Sequence, residues 1–175
     1  MGTSEHSEIL TEITALLKHE SEAIMNIPVS ESYIQAVNLI YQKVHTEGGK
    51  VIASGMGKAG QIAENIATTF CSTGTPAVYL HPSEAQHGDL GIIRNNDVLL
   101  VLSNSGKTRE ILELVELTHN LYAEVPFIVI TGNPESDLPK FAEVSIFTGN
   151  PKEVCPLGLS PTTSTTAMTV IGDIL

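Results

Sequence analysis

Five short apolar runs, separated by stretches of helical character, constrain the fold of this chain more than any other feature of its sequence. The runs are Val51–Ala53, Ala77–Leu80, Val98–Leu102, Phe127–Ile130 and Val144–Phe147. They are rich in Val and Ile and lack the polar alternation of a strand that has one face in water. The alternation of such runs with helices predicts βαβ units, and hence an α/β fold with a parallel sheet.

Helical patterns account for most of the remaining chain. We predict two amphipathic helices before the sheet, the first ended by Pro28 and the second running from about Ser30 to Gly48. Further helices are predicted at about Lys58–Ser72, Thr108–Asn120 and Ser136–Phe141, with a last one from about Thr162.

A single domain is the simplest division of the sequence. We expect one domain over residues 1–175, with N-terminal helices in residues 1–47 and the sheet with its helices in residues 50–175. The last helical stretch closes on Ile174–Leu175 without a glycine, a proline or a basic last turn. We therefore expect the C-terminal end to be incomplete, the alternative being that another subunit covers this apolar end.

The charge balance excludes two classes of partner. The chain has 9 basic and 20 acidic residues, a formal net charge of −11 at pH 7, which repels nucleic acids and anionic membranes. No apolar run approaches the roughly 18 residues that a membrane-spanning helix needs, and the N-terminus does not resemble a signal peptide. Two cysteines do not make a disulfide scaffold. We expect a cytoplasmic protein.

The loop after the first strand carries a glycine-rich motif. Gly55-Met56-Gly57-Lys58-Ala59-Gly60 formally satisfies the dinucleotide-binding fingerprint. The acidic residue that should hold the ribose is missing, because the second strand ends in Leu80-His81-Pro82. A plain turn that needs glycine remains an alternative. Lys58 opposes the dipole of the helix that it opens, which favours an anionic ligand or an acidic partner nearby.

The loop after the third strand predicts a phosphate site. Ser103-Asn104-Ser105-Gly106-Lys107-Thr108-Arg109-Glu110 combines three hydroxyl groups and a glycine at the start of a helix. Free helix N–H groups and hydroxyls at a positive dipole end suit a phosphate monoester. A nucleotide P-loop is excluded, because Val101 stands where that motif requires its first glycine. The alternative is that Ser105 or Thr108 only caps the helix.

Two further loops also follow predicted strands, so in a parallel sheet they lie at the same edge as the two loops above, and they contain acid–base groups. His87 lies in the segment His81–Asp89 after the second strand, and Glu153 lies in Pro151–Pro156 after the last strand. Glu153 places a carboxylate where a general base could stand, although a solvated loop acid is the commoner fate of a glutamate. The spacing of the histidines and acids does not make a diagnostic metal-ligand set, so we expect no metal.

These loops resemble a known family. Ser103–Glu110 matches the S-x-S-G-x-T-x-E signature of the sugar isomerase (SIS) domain, a flavodoxin-like three-layer fold with a five-stranded parallel sheet flanked by helices. The stretches GMGKAG, ATTFCSTGTP, LHPSEAQHGDLG, SNSGKTRE, ITGNP and EVCPLGLSPTTSTTA are similar to arabinose 5-phosphate isomerases of the KpsF/GutQ type. The resemblance covers the chain from about the second helix to Leu175.

The resemblance implies an activity and a site. It implies interconversion of D-ribulose 5-phosphate and D-arabinose 5-phosphate for the biosynthesis of Kdo, a sugar of lipopolysaccharide and capsules, by a homotetramer that a downstream nucleotide sugar could inhibit. The implied catalytic residues are Lys58, His87, Glu110 and Glu153. The implied phosphate- and substrate-binding residues are Ser54, Gly55, Gly57, Ser103, Asn104, Ser105, Gly106 and Thr108. Two features of the family are missing here: a histidine beyond the last helix, and the pair of regulatory CBS domains that many relatives carry.

Aldose–ketose exchange fits this inventory without a cofactor. An enediol path needs a carboxylate or histidine base and a donor that stabilises an oxyanion, and it needs no redox group. Glu153 and Glu110 are both candidates for the proton carrier, with His87 assisting ring opening and Lys58 near the oxyanion or the phosphate. The alternatives are a non-catalytic sugar-phosphate sensor with this fold, and an isomerase of another phosphosugar.

Overall fold

A parallel sheet of five strands forms the middle of the structure, a computed structural model that describes residues 3–175 and side chains from residue 6 onward. The strands are β1 (Val51–Gly55), β2 (Ala77–Tyr79), β3 (Val98–Leu102), β4 (Phe127–Thr131) and β5 (Val144–Phe147). Their order in the sheet is β2-β1-β3-β4-β5, and each neighbouring pair is parallel. This is the flavodoxin-like order, and the predicted fold class is confirmed.

The helices surround this sheet as predicted, with local differences. They are α1 (Thr3–Met25), α2 (Ser32–Ile40), α3 (Lys58–Ser72), α4 (Pro82–Ala85), α5 (Arg109–Leu121) and α6 (Thr163–Ile174). A π-helical segment, Tyr41–Thr46, continues α2, and two 3-10 turns occupy Asp89–Ile92 and Leu138–Phe141. The helix predicted at Ser136–Phe141 is therefore only a 3-10 turn, in which the N–H groups of Lys140 and Ala142 donate to carbonyls three residues back before β5 begins. The short α4 was not predicted.

Two apolar layers fill the space between sheet and helices. Alternate strand residues face opposite sides: Ala53 and Leu100 pack against α2, α3 and α6, whereas Leu99 and Val101 pack against α5. β1, β3 and β4 are buried along their whole length, which explains their unbroken apolar sequence. Within the described part of the chain, no helix is both long enough and apolar enough to cross a membrane.

A buried ion pair joins the N-terminal ends of β1 and β3. The Asp97 carboxylate, 1% exposed, accepts hydrogen bonds from the N–H groups of Lys50 at 3.0 Å and Arg94 at 2.7 Å. The Lys50 ammonium donates to the same carboxylate at 2.7 Å. Because each bond has a backbone or charged donor, Asp97 fixes the entry of both strands, at the end of the sheet opposite the loops that follow β1 and β3.

Removing this carboxylate should destabilise the fold. Asp97→Ala leaves two backbone N–H groups and the Lys50 ammonium without their acceptor, and we expect the free energy of unfolding to fall by about 3 kcal/mol. Asp137→Ala is the matched control, because Asp137 pairs with Lys140 at 2.6 Å on the surface, with both side chains mostly exposed. In the control, the free energy of unfolding, measured by urea unfolding followed by circular dichroism, should change by less than about 0.5 kcal/mol. Equal losses of stability in the two variants would contradict the structural role given to Asp97.

Candidate functional site

The loops after β1 and β3 lie side by side. Gly55, the last residue of β1, is in register with Leu102, the last residue of β3. The chain leaves β1 toward β2 on one side of the sheet, while β3 leads to β4 and β5 on the other. A crevice at such a switch point is where open α/β sheets bind their ligands. The glycine-rich loop and the loop Ser103–Thr108, hereafter the phosphate loop, meet there.

The phosphate loop is closed by its own hydroxyl groups. Ser103 and Thr108 share a hydrogen bond between their hydroxyls at 2.9 Å, and the Gly106 N–H donates to the Ser103 hydroxyl at 3.2 Å. Thr108 is the N-cap residue of α5, yet its side chain makes no capping bond to the helix. The first N–H groups of α5 therefore keep their capacity to bind an anion.

The end of β4 supports the phosphate loop from behind. The Thr131 hydroxyl donates to the Asn104 carbonyl at 3.3 Å, and the Asn133 side-chain amide donates to the Ser105 carbonyl at 3.1 Å. Gly106 has φ of +63°, and a Cβ there would collide with the Ser136 hydroxyl. The loop thus has one available shape, set by β4 and the segment after it.

The glycine-rich loop brings Lys58 to the same edge. Gly57 is the N-cap of α3 with φ of +59°, and Lys58 is the first, exposed residue of that helix. A Cβ at Gly55 would lie 2.6 Å from the Ala59 carbonyl oxygen, so this glycine allows the close approach of strand and helix. The Ser54 hydroxyl is fully buried and donates to the Leu80 carbonyl at 2.7 Å. Ser54 therefore links β1 to the end of β2 and does not face the crevice.

His87 and Glu110 lie on the β1 and β2 side of the phosphate loop. His87 is exposed, directly after Gln86, whose side-chain amide donates to the Glu113 carboxylate of α5 at 2.7 Å. Glu110 is half-buried one turn earlier on the same helix. The bond from Gln86 to α5 thus holds the His87 segment near the start of the helix that carries Glu110.

Glu153 lies on the opposite side of the phosphate loop, beyond β5. One of its oxygens, Oε2, accepts from the N–H of Thr162 at 2.7 Å, the Thr162 hydroxyl at 2.9 Å and the N–H of Ser164 at 3.3 Å. Partial burial raises the pKa of Glu153, but the hydrogen bonds from Ser164 and Thr162 outweigh it, and the pKa is below its usual value. Glu153 is an ionised carboxylate that caps α6 with one oxygen.

A cleft lies between the phosphate loop and the end of β5. It has a volume of about 730 Å³, and Asn104, Ser105, Asn133, Phe147 and Gly149 are among its lining residues. Gly149 also lines a groove beside α1 that contains Lys152, and Lys152 in turn borders the depression that ends at Glu153. The cleft thus lies on the side of the phosphate loop from which the chain continues, through residues 150–152, to Glu153.

Cys155 lies in the same depression as Glu153. Backbone N–H groups of Ser160, Leu159 and Leu157 lower the pKa of its thiol to about 7. Cys155 is a free, half-exposed cysteine, so a substantial fraction is thiolate near neutral pH.

The structure brings together part of the predicted set and adds to it. Lys58, His87 and Glu110 belong to the segments that follow β1, β2 and β3 at this edge of the sheet, and Glu153 belongs to the segment that follows β5. Two polar side chains were not predicted as site residues: Asn133, which lies in the ITGNP stretch, and His81, whose half-buried ring has a buried Nδ1 without a hydrogen-bond partner among the described residues. No cluster of three His, Cys, Asp or Glu side chains in the described chain is arranged to hold a metal ion.

Comparison with known proteins agrees with this geometry. The SIS domain family matches residues 45–175. A curated relative from Shigella flexneri, arabinose 5-phosphate isomerase KdsD, is 48% identical over 146 residues, which are 83% of this chain and 44% of the relative. The chain thus spans less than half the length of that relative.

Two solved structures share the whole architecture. A protein from Bacteroides fragilis, described as a candidate phosphosugar isomerase involved in capsule formation, is 62% identical with a TM-score of 0.94, covering 95% of this chain and 86% of that one. A protein of Escherichia coli CFT073, solved in complex with arabinose 5-phosphate, is 34% identical with a TM-score of 0.84, covering 99% of this chain and 88% of that one.

A substitution at Gly106 should abolish the shape of the phosphate loop. Gly106→Ala adds both the strain of a positive φ and a collision with Ser136. We expect the affinity for a pentose 5-phosphate, measured by calorimetry, to fall about 10-fold or more, since losing one hydrogen bond to a charged group costs about 1.5–3 kcal/mol. Gly48→Ala is the matched control: its φ is +71°, but nothing lies within 4 Å of the added Cβ. Unchanged affinity in Gly106→Ala would contradict the assignment.

Proposed function

The chain belongs to the SIS domain family, and we propose that it is an aldose–ketose isomerase that interconverts D-arabinose 5-phosphate and D-ribulose 5-phosphate. The phosphate loop carries this proposal, because an uncapped helix start with converging hydroxyls suits a phosphate monoester. The relative named arabinose 5-phosphate isomerase and the structural neighbour in complex with arabinose 5-phosphate support the choice of substrate.

The reaction moves one proton from C2 to C1 and one from the C2 oxygen to the C1 oxygen, with no net redox change. A base removes the proton from C2 of the open-chain aldose, the C1=C2 bond forms as the C1 carbonyl oxygen gains a proton, and an enediol results. The C2 hydroxyl then loses its proton while C1 receives one, which gives the ketose. The protein must hold the phosphate, supply the base and stabilise the oxyanion, so we expect turnover without added metal or nucleotide.

Glu153 is the proton carrier in this proposal. Oε2 is held by the start of α6, which leaves Oε1 to take the proton. Neighbouring strands are about 4.8 Å apart, so β5 lies roughly 10 Å from β3, and the reacting carbons are at the far end of the sugar from its phosphate. Glu110 lies only two residues from Thr108, beside the phosphate. The cleft beside Ser105 extends to β5 and Asn150, three residues before Glu153, which favours the same choice.

The remaining residues divide between two tasks. Ser103, Asn104, Ser105, Gly106 and Thr108 bind the phosphate in this proposal, with backbone from Gly55 and Gly57 beside them. Lys58 supplies positive charge at the start of α3 for the phosphate or the oxyanion. His87, exposed near the start of α5, assists ring opening.

We also propose that the chain works as a homotetramer. Apolar side chains on α1 are exposed in the single chain, among them Leu10 at 64% and Leu17 at 67%. Association would remove this surface from water. Kdo biosynthesis in the cytoplasm is the process that this activity would serve, with a sugar phosphate as the substrate and a downstream nucleotide sugar as an inhibitor.

The direct test is turnover of arabinose 5-phosphate followed by proton NMR. We expect ribulose 5-phosphate to appear, with deuterium incorporated at the transferred position in D₂O and no change after treatment with EDTA. Binding without turnover of any sugar phosphate would favour the sensor alternative. Turnover of a hexulose or heptulose phosphate in preference to the pentose would make the protein another phosphosugar isomerase.

Glu153→Gln should remove the base while keeping an acceptor for α6. We expect kcat to fall by about 100-fold or more, the contribution of one general base, with KM little changed. Because the pKa of Glu153 lies below its usual value, the wild-type base stays ionised in mild acid, and kcat should be lost only as pH falls below about 4.3, the ordinary glutamate value. Glu124→Gln, in an exposed loop, is the control. Loss of activity in Glu110→Gln but not in Glu153→Gln would assign the proton to Glu110 instead.

A further inference from the structure

Two consecutive residues of α1 reach the segments that hold Glu153. The His19 imidazole Nε2 donates to the Lys152 carbonyl oxygen at 2.6 Å, directly before Glu153 in the chain. The next residue, Glu20, accepts a hydrogen bond from the Thr163 hydroxyl at 2.7 Å. Thr163 lies between the two residues whose N–H groups bind the Glu153 carboxylate. One turn of α1 therefore contacts both segments that set the position of this carboxylate.

The hydrogen bonds continue from α1 to the backbone around Glu153. The Thr163 hydroxyl oxygen, which donates to Glu20, also accepts from the N–H of Val154 at 3.2 Å. Val154 follows Glu153, and Lys152 precedes it, so its backbone is tied on both sides. The carboxylate itself is tied to Thr162 and Ser164. Loss of either α1 contact frees part of this arrangement.

The character of Glu20 does not suit a residue that only packs. Residues 6–18 of α1 are exposed, and the helix first becomes covered at His19 and Glu20. Glu20 Oε2 is buried without a hydrogen-bond partner among the described residues. Burying a carboxylate oxygen in this way costs free energy that an apolar side chain would avoid. The hydrogen bond between Glu20 and Thr163 is the one contact that a carboxylate can make at this position and an apolar side chain cannot.

We infer that His19 and Glu20 are positioning residues that hold Glu153 in its reactive orientation at the start of α6. Both precede residues 45–175, which match the SIS domain, so α1 adds a function to the site from outside the matched region. The catalytic part of this inference rests on the proposed function. The structural part, that α1 keeps the carboxylate bonded to α6, does not.

A change in the position of Glu153 should be measurable as a change in its pKa. The titratable groups around Glu153 are His19 and Glu20 on α1, with Lys152 and Cys155 on its own segment. The first turn of α6 contributes N–H and hydroxyl groups only. Because hydrogen bonds from Thr162 and Ser164 lower the pKa of Glu153, loosening them raises that pKa, and the acid limb of the kcat profile moves to higher pH.

The variants separate positioning from general packing. His19→Ala and Glu20→Ala remove the contacts, and Thr163→Val breaks the Glu20 contact from the other side with nearly the same shape. His19→Gln and Glu20→Gln are the rescue variants, because a side-chain amide can still donate to the Lys152 carbonyl or accept from Thr163. Lys18→Ala is the control on the same helix, since Lys18 only forms an exposed pair with Glu22 at 3.7 Å.

We expect kcat to fall about 10- to 100-fold in the disruptive variants, with KM within about twofold. In His19→Ala and Thr163→Val, which keep the charge of Glu20, the acid limb should also shift to higher pH. The rescue variants and Lys18→Ala should stay near wild type. The second readout needs no turnover: the pKa of Glu153, followed by carbon NMR of labelled glutamate and assigned with Glu153→Gln, should rise in His19→Ala and Thr163→Val, which keep the charge of Glu20. A variant that does not fold by circular dichroism is replaced by Thr163→Val.

The two readouts distinguish the two hypotheses. A wild-type protein without isomerase activity, but with the expected rise of the Glu153 pKa in the variants, would overturn the proposed function and keep the α1 contacts. Wild-type-like kcat and an unchanged pKa in His19→Ala and Thr163→Val would overturn the positioning role. A fall of kcat with no change in pKa or acid limb would also overturn it, because a general loss of packing gives that result.

Discussion

The parallel pairing of β1 with β3 is the constraint on which the rest of the structure depends. It places the ends of two non-consecutive strands in register, with Gly55 opposite Leu102, and it makes the chain leave in opposite directions from this point. Both loops then open at one edge, where the first turns of α3 and α5 present unpaired N–H groups. At the other end of the same strands, Asp97 holds Lys50 and Arg94. The sheet therefore sets where both loops begin.

An acidic protein that binds an anion needs a local source of positive potential. The chain carries a net charge of −11, and the phosphate loop itself contains one charged side chain, Lys107. In the proposed function, the capacity of this loop to bind a phosphate comes instead from hydroxyls, from helix N–H groups and from Lys58 at the neighbouring helix start. These act over a few ångströms, whereas the repulsion from distant carboxylates is screened beyond about 8–10 Å at physiological salt. The short-range donors decide whether a phosphate binds.

Carboxylates are used in two ways at helix and strand ends. Asp97 is buried, and each of its bonds serves the fold. Glu153 commits one oxygen to α6 and leaves the other uncommitted. The start of α6 thus does for Glu153 what the start of α5 is proposed to do for the substrate phosphate: backbone N–H groups stabilise a negative charge. In the proposed reaction, the N–H groups at the start of α5 bind the substrate phosphate, and those at the start of α6 hold the carboxylate base.

The strands and most helices could be predicted from periodicity. A strand that is buried on both faces has an unbroken apolar sequence, and an amphipathic helix has apolar residues that repeat about every 3.6 residues. α3 begins and ends at the predicted Lys58 and Ser72. Short elements were missed or misjudged: α4 has too few residues to show a period, and the predicted helix at Ser136–Phe141 is a 3-10 turn directly before β5. The second helix continues as a π-helical segment, and no sequence pattern used here predicts that change of helix type.

The sequence by itself determined the α/β class, the order of the loops along the chain and the chemistry of the phosphate loop, since these follow from residue type and spacing. Tertiary structure alone decided which side chains face the crevice. Ser54 looked available but is buried against Leu80, and Glu153 proved to be bonded to α6. His19 and Lys152 are 133 residues apart in the chain, yet their atoms lie 2.6 Å apart. Position along a chain gives the order of elements, but distances between them arise only when the layers pack.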